Sequence, residues 1–297
     1  MTEAHTKQVV HDEEADTYLA QGEADNLPKL GPDSILWQRF GDWRSLFSAV
    51  YAGVLQVTQK DVSRALIQHS NFFDNEVGRL VRSAFPIVRT VYEGDEPGAM
   101  IRDFHRNIKG THEDGTRYHS MNPEAFYWAH ATFLLMPYVL AGKFSPALSD
   151  AEKEQLFQES RTWYSYYGVA EPKNAPTNYP EFEAYVEDFF QNNLHQTETF
   201  ERSRIVRVLD MDPPLPWIPK WLWKPVSPYA ARLLVWVTTG LLPQNLRDEF
   251  GWSWTQSDER RFKAFYRTVR AIFSVLPRKV RMVPIAERAF KRAEAQA

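Results

Sequence analysis

The chain has no cysteine among its 297 residues. Disulfides, zinc–thiolate centres, iron–sulfur clusters and thiolate-ligated haem are therefore excluded. His-Glu-x-x-His is missing, and so is any Glu-x-x-His, which argues against a zinc-protease helix and a carboxylate di-iron bundle. No apolar run follows Met1, so no secretory signal is expected and a cytoplasmic location is. Basic charge is not in excess: the net charge is −3 and the pI about 6.3, which gives no electrostatic reason to expect nucleic acid as a partner. Period-two alternation of apolar residues is also absent, so a strand-rich fold is not expected.

What the chain does have is aromatic side chains: ten Trp, nineteen Phe and thirteen Tyr. That load fits a flat ring cofactor or an apolar substrate, and equally a thick core. Helical periodicity dominates, and the expected class is all-α, a single multi-helix domain over residues 34–297. Residues 1–33 carry Glu13, Glu14, Asp16, Glu23 and Asp25 and are expected to be a loosely ordered acidic tail.

Two consecutive helices each place one histidine on an apolar stripe. The first is expected to open at Pro97 and stop at Gly110, with Ile101, Phe104, His105 and Ile108 on one buried face and Arg102 beside His105. The second has Asn122 as N-cap, Pro123 in its first turn and Glu124 near the positive helix end. From Ala125 to Gly142 no charged residue occurs, which suits a helix enclosed by protein. Phe126, His130, Phe133 and Pro137 share a face, and Pro137 removes the donor to the Phe133 carbonyl, so a kink is expected past His130.

A buried imidazole needs a partner, because leaving it unpaired costs roughly 1–3 kcal/mol. A backbone carbonyl, a water or a metal would serve, and a hydrogen-bonded core histidine is the plain alternative. Two inward histidines with an arginine beside one point toward a metal or cofactor between them. With carboxylates scarce, a neutral imidazole in an aromatic pocket suits haem iron.

The order of short motifs carries a resemblance. His105, Ile108 and Gly110 are followed by Asp114-Gly115, Tyr118, Asn122-Pro123 and Trp128-Ala-His130-Ala-Thr132. His69-Ser70, Gly78-Arg79-Leu80, Gly168-Val169, Gly251-Trp252 and Leu276-Pro277 extend it over roughly residues 35–292. The chain resembles the DUF2236 family, which contains the rubber oxygenase (latex-clearing protein) and the mycophenolate-pathway oxygenase MpaB. The resemblance implies a globin-like helical core around haem b and His130 as proximal iron ligand. Latex-clearing proteins carry Arg-x-x-Lys-Thr on the distal side. Here Arg102 keeps the arginine, while His105 and Arg106 replace lysine and threonine.

The implied activity is a haem-dependent oxygenase acting on a hydrophobic, isoprenoid- or lipid-like molecule, with His105 and Arg102 as catalytic residues. The alternative is a bis-histidine haem protein, with His105 as distal ligand, in a redox, sensor or carrier role without oxygenase turnover. Arg79, Arg82 and Tyr118 are candidates for holding the haem propionates. His69 is expected at a helix C-terminus, and His112, His119 and His195 are expected to be exposed. Trp217, Trp221 and Trp223, with Lys220 and Lys224 in a proline-rich segment, resemble a set for peripheral membrane contact, against the alternative that the rings pack on the protein.

Overall fold

The computed structural model describes residues 12–21, 27–70, 76–203, 213 and 218–296, with side chains described for these outside 76–83. Arg79, Arg82 and Trp217 therefore lie outside the described side chains.

In chain order the helices begin with α1 (Glu13–Asp16), α2 (Ile35–Phe40), α3 (Leu46–Val57), α4 (Lys60–His69), α5 (Glu76–Glu93) and α6 (Asp95–His105). A hairpin of β1 (Lys109–Thr111) and β2 (Arg117–His119) precedes α7 (Pro123–Leu140), α8 (Asp150–Ser165), α9 (Tyr179–Asn192) and α10 (Glu198–Arg202). The chain closes with α11 (Lys220–Trp223), α12 (Ser227–Leu241), α13 (Gln244–Glu249), α14 (Gln256–Val275), α15 (Arg278–Arg281) and α16 (Pro284–Glu294). The hairpin is the only sheet among the described residues, so the fold is all-α as expected.

Helix α7 is the central rod. Twelve of its eighteen residues are buried, too many for one amphipathic stripe, so neighbours enclose it on several sides. It packs on α2, α3 and α8. Asn122 caps it by accepting from the Glu124 amide, and it runs through Pro137 to Leu140. Trp128 anchors its middle: the indole stacks on Phe189 at 3.7 Å and donates to the Leu55 carbonyl at 3.2 Å.

Ser149 and Glu152 close a reciprocal capping box at the start of α8. Further along α8, the buried Glu159 accepts from the Ile35 and Leu36 amides at 3.1 and 2.7 Å. It thereby fixes the N-terminus of α2, whose first-turn donors have no partner within the helix.

Several expectations are corrected. Between residues 35 and 69 the chain turns at Gly41 and again at Thr58, while Gly53 is buried inside α3. Helix α6 ends at His105, not Gly110, because Lys109–Thr111 pairs with Arg117–His119 around the Asp114-Gly115 turn. The stripe on α6 is not a buried face: Phe104 is 66% exposed and Ile101, His105 and Ile108 are half-buried. Thr255 caps α14, in a box with Asp258.

Residues 12–21, read from the sequence as part of a loose tail, dock on the hairpin and the end of α8. Asp12 pairs with Lys109 at 2.6 Å, Glu14 with Arg117 at 2.8 Å, and Asp16 with Arg106. The Ala170 amide donates to the Tyr18 carbonyl and the Ala20 amide to the Gly168 carbonyl. Acidic charge meeting a basic hairpin explains why this stretch holds.

Candidate functional site

His130 sits two turns into α7, 4% exposed. Trp163 and Tyr164 of α8 and Tyr167 just beyond it cover the ring, with centroids 4.6, 5.2 and 5.8 Å away. Their spacing on α8 puts all three on the face turned to α7. Neither His130 Nδ1 nor Nε2 has a hydrogen-bond partner, and Trp163 Nε1 has none either.

Burial pushes the His130 pKa down to about 3, opposed by the Ser160 backbone, whose approach falls outside hydrogen-bond geometry. At neutral pH the ring is therefore uncharged and keeps a lone pair. Burial also raises Tyr127, Tyr164 and Tyr167, so the cage around the imidazole is neutral.

His105, the last residue of α6, holds Nδ1 2.7 Å from the Ile101 carbonyl. That contact makes Nδ1 a donor, because a carbonyl only accepts. A run of ring contacts joins the two histidines. His105 meets Phe126 at 5.8 Å, Phe126 meets Tyr167 at 5.3 Å, and Tyr167 meets His130 at 5.8 Å.

Arg102 reaches the same place from α6. Its Nε donates to Asp103 at 2.8 Å, and a Cβ built on Gly168 would lie 3.0 Å from its Nη1. Gly168 also has φ +63°, so the turn after Tyr167 and the close arginine both call for glycine. Helix α6 comes this near because Gly98 lets it rest on α8: a Cβ there would lie 2.2 Å from the Tyr166 carbonyl oxygen.

Of the residues singled out from sequence, Arg102, His105 and His130 lie around Phe126, Tyr167 and Gly168, with His105 and His130 two rings apart. Tyr118 lies elsewhere: buried in the hairpin, it donates to Gln68 Oε1 at 2.6 Å and packs on His112. His69 ends α4, as expected, with Nε2 2.9 Å from the Lys109 carbonyl. His195 is exposed beside Glu249, also as expected.

His112 and His119, expected to be exposed, are buried. His112 pairs with Asp61 at 2.7 Å, and His119 lies under Tyr18 with Nδ1 accepting from the Met121 amide. Trp221 is 77% exposed and Trp223 half-buried. Sequence reasoning passed over Phe126 and Tyr167 as site residues. The signal was present in the aromatic crowding at the end of α8, which reads equally as core.

The residues 37–271 match the description "ER-bound oxygenase mpaB/B'/Rubber oxygenase, catalytic domain". The chain belongs to that family. The matched stretch contains all three clustered residues, and an oxygenase-type activity follows from membership at the level of the family. No curated protein and no solved structure matches the chain. No helix among the described residues is long and apolar enough to cross a membrane.

The implied cofactor can be tested against the residues. No group of three or more His, Asp or Glu is arranged to hold a metal ion among the described residues. A neutral, fully buried imidazole with two unpartnered nitrogens is the donor that axial ligation of haem iron needs. The donor fits. The rings of Phe126 and Tyr167 are the groups that must turn aside for a macrocycle to lie against it, since they join His130 to His105 by direct contact.

Proposed function

We propose that the protein is a haem-b-dependent oxygenase acting on a hydrophobic, isoprenoid- or lipid-like substrate. The observation that carries this reading is the orphaned His130 imidazole, the most deeply buried titratable group of the cluster. Haem, when bound, supplies the iron redox chemistry that lets dioxygen be used. The chain supplies the rest.

His130 would hold the iron through a neutral ring nitrogen. Trp163 and Tyr164 keep water from it, which preserves that neutrality. Arg102 contributes a permanent positive charge and donors at the Gly168 turn. His105, whose Nδ1 donates to the Ile101 carbonyl, is the group able to take or return a proton.

The substrate class rests on the aromatic and aliphatic surroundings, which offer few polar partners to a ligand. We also assign the face formed by Trp221, Leu222 and Tyr229, flanked by Lys220 and Lys224, to peripheral contact with an anionic membrane, the source of such a substrate.

A second reading has its own support. His105 stands where the rubber oxygenases have lysine, and its ring is joined to His130 through two intervening rings, Phe126 and Tyr167. A bis-histidine haem protein with a redox, sensor or carrier role would use both.

The test is an absorption spectrum of protein produced with ample haem, oxidised and anaerobically reduced. His130→Ala is expected to lose the Soret band and stoichiometric iron. An unchanged Soret band in that variant would falsify the assignment. His105→Ala separates the two readings. In the oxygenase, the parent's reduced protein binds carbon monoxide readily. In the bis-histidine protein, only the variant does.

A further inference from the structure

A cavity of about 480 Å³ opens at the far end of α7, among α2, the turn before α3, the loop after α7, and α15 with α16. It is separate from the His130 cage. Pro137, on its wall, lies seven residues along α7 from His130, or about 10 Å of helix. Its volume is in the range of small-molecule sites. Four arginines and two aspartates line it, a formal excess of two positive charges (+4 and −2).

The four arginines differ in their partners. Arg44 is bidentate to Asp42, through Nε and Nη2 at 2.7 Å each, and Arg278 reaches Glu287 and Glu294. Both charges are answered. Arg39 is bound only by neutral oxygens, Ser145 Oγ and the Pro146 carbonyl, each at 2.8 Å. Arg281 has a buried Nε with no hydrogen-bond partner and no ion pair among the described residues. Asp33, on the rim, pairs with neither.

The backbone beside Arg281 is nevertheless held in place. The Val283 amide donates to the Gly41 carbonyl at 2.8 Å, and Met282 bridges Asp42. Gly41 permits this approach, since a Cβ there would meet Tyr92 Oη at 2.3 Å and Ala286 Cβ at 2.5 Å. A partly buried guanidinium without a counter-charge, on a backbone held in place, is costly unless an anion completes it. The rest of the wall is apolar: Pro137, Leu140, Met282 and Phe290.

We propose that this cavity binds an anionic amphiphile, its oxyanion head on Arg281 and Arg39 and its apolar chain along Leu140, Met282 and Phe290. Arg278, Arg281, Met282 and Phe290 lie beyond the residues matched to the oxygenase family, so the site is built partly from this chain's own C-terminal helices. It does not depend on the haem reading.

The experiment is calorimetric titration of the full chain with decyl phosphate, decanoate, decanol and inorganic phosphate. At least one of the two anionic amphiphiles should bind one per chain, at least about tenfold tighter than decanol and inorganic phosphate. The tighter of the two identifies a phosphate or a carboxylate head. Arg281→Gln should weaken that binding by about tenfold or more, while Arg260→Gln, the same charge change on an exposed face of α14, leaves it unchanged. Arg281→Gln breaks no side-chain hydrogen bond or ion pair among the described residues, so it should fold, which a matching melting curve checks. No saturable binding overturns the proposal. So does equal affinity for decanol and the anions, or an equal loss in both variants.

Discussion

Replacing His130 by leucine changes little volume and removes two unpartnered ring nitrogens. A histidine satisfied in a core would be missed on replacement. An orphan would not, because relieving an unpaired buried polar group returns about 1–3 kcal/mol. His130→Leu is therefore expected to stabilise protein prepared without haem by that amount at pH 7.5. Acid widens the gap. The folded-state pKa, about 3, lies below the ordinary histidine value, so protons bind the unfolded chain preferentially. Stability from the neutral ring is complete above about pH 6.5 and is lost as pH falls toward 3. Between pH 7.5 and pH 5 the parent should lose about 2 kcal/mol that the leucine variant keeps. Urea unfolding of both proteins at the two pH values measures this. With haem bound the order should reverse, since a ligand held only by the folded parent stabilises it. A haem-free leucine variant weaker than the parent by more than about 2 kcal/mol at pH 7.5, with the same acid sensitivity, would refute the reasoning.

Glu159→Leu leaves the Ile35 and Leu36 amides without their acceptor and should cost about 3 kcal/mol, read by chemical unfolding. Gly98→Ala forces a methyl group against the Tyr166 carbonyl. It should cost about 1–3 kcal/mol and, by shifting Arg102 and His105 with α6, alter the haem spectrum more than the melting curve. Trp221→Glu together with Leu222→Glu should lower co-sedimentation with phosphatidylserine vesicles severalfold while the melting curve holds; unchanged sedimentation rules that face out as the membrane contact.

The parts legible in the sequence are those decided within a few residues. Asn122-Pro123-Glu124 is a helix start whatever surrounds it, and the uncharged run behind it leaves a buried rod as its natural outcome. Ser149 and Glu152 form their box locally. What escaped was decided by distant neighbours. The period of α6 correctly groups Ile101, Phe104 and His105, but periodicity does not say what covers a face, and Phe104 is left in solvent. The hairpin competed with the end of α6 through pairing that only Gly115, at φ +85°, makes possible. His119 is buried because residues 12–21 fold over it, an encounter across a hundred residues of chain. The Arg281 cavity is a meeting of three segments, none of which carries a motif by itself.

Glu159 and His130 make the case for function by contrast. Both are buried polar groups on neighbouring, packed helices, and Glu159 lies one turn before Trp163, which covers the imidazole. The fold gives Glu159 two backbone donors and the Gln155 amide, so polar partners are supplied at this depth where structure alone requires them. It gives His130 only the approach of the Ser160 backbone, short of hydrogen-bond geometry, and surrounds it with rings whose hydroxyl and indole groups are turned to other uses or left unpaired themselves. An apolar residue would pack there at lower cost. A histidine kept neutral and dry is the kind of donor that the proposed haem ligation would use.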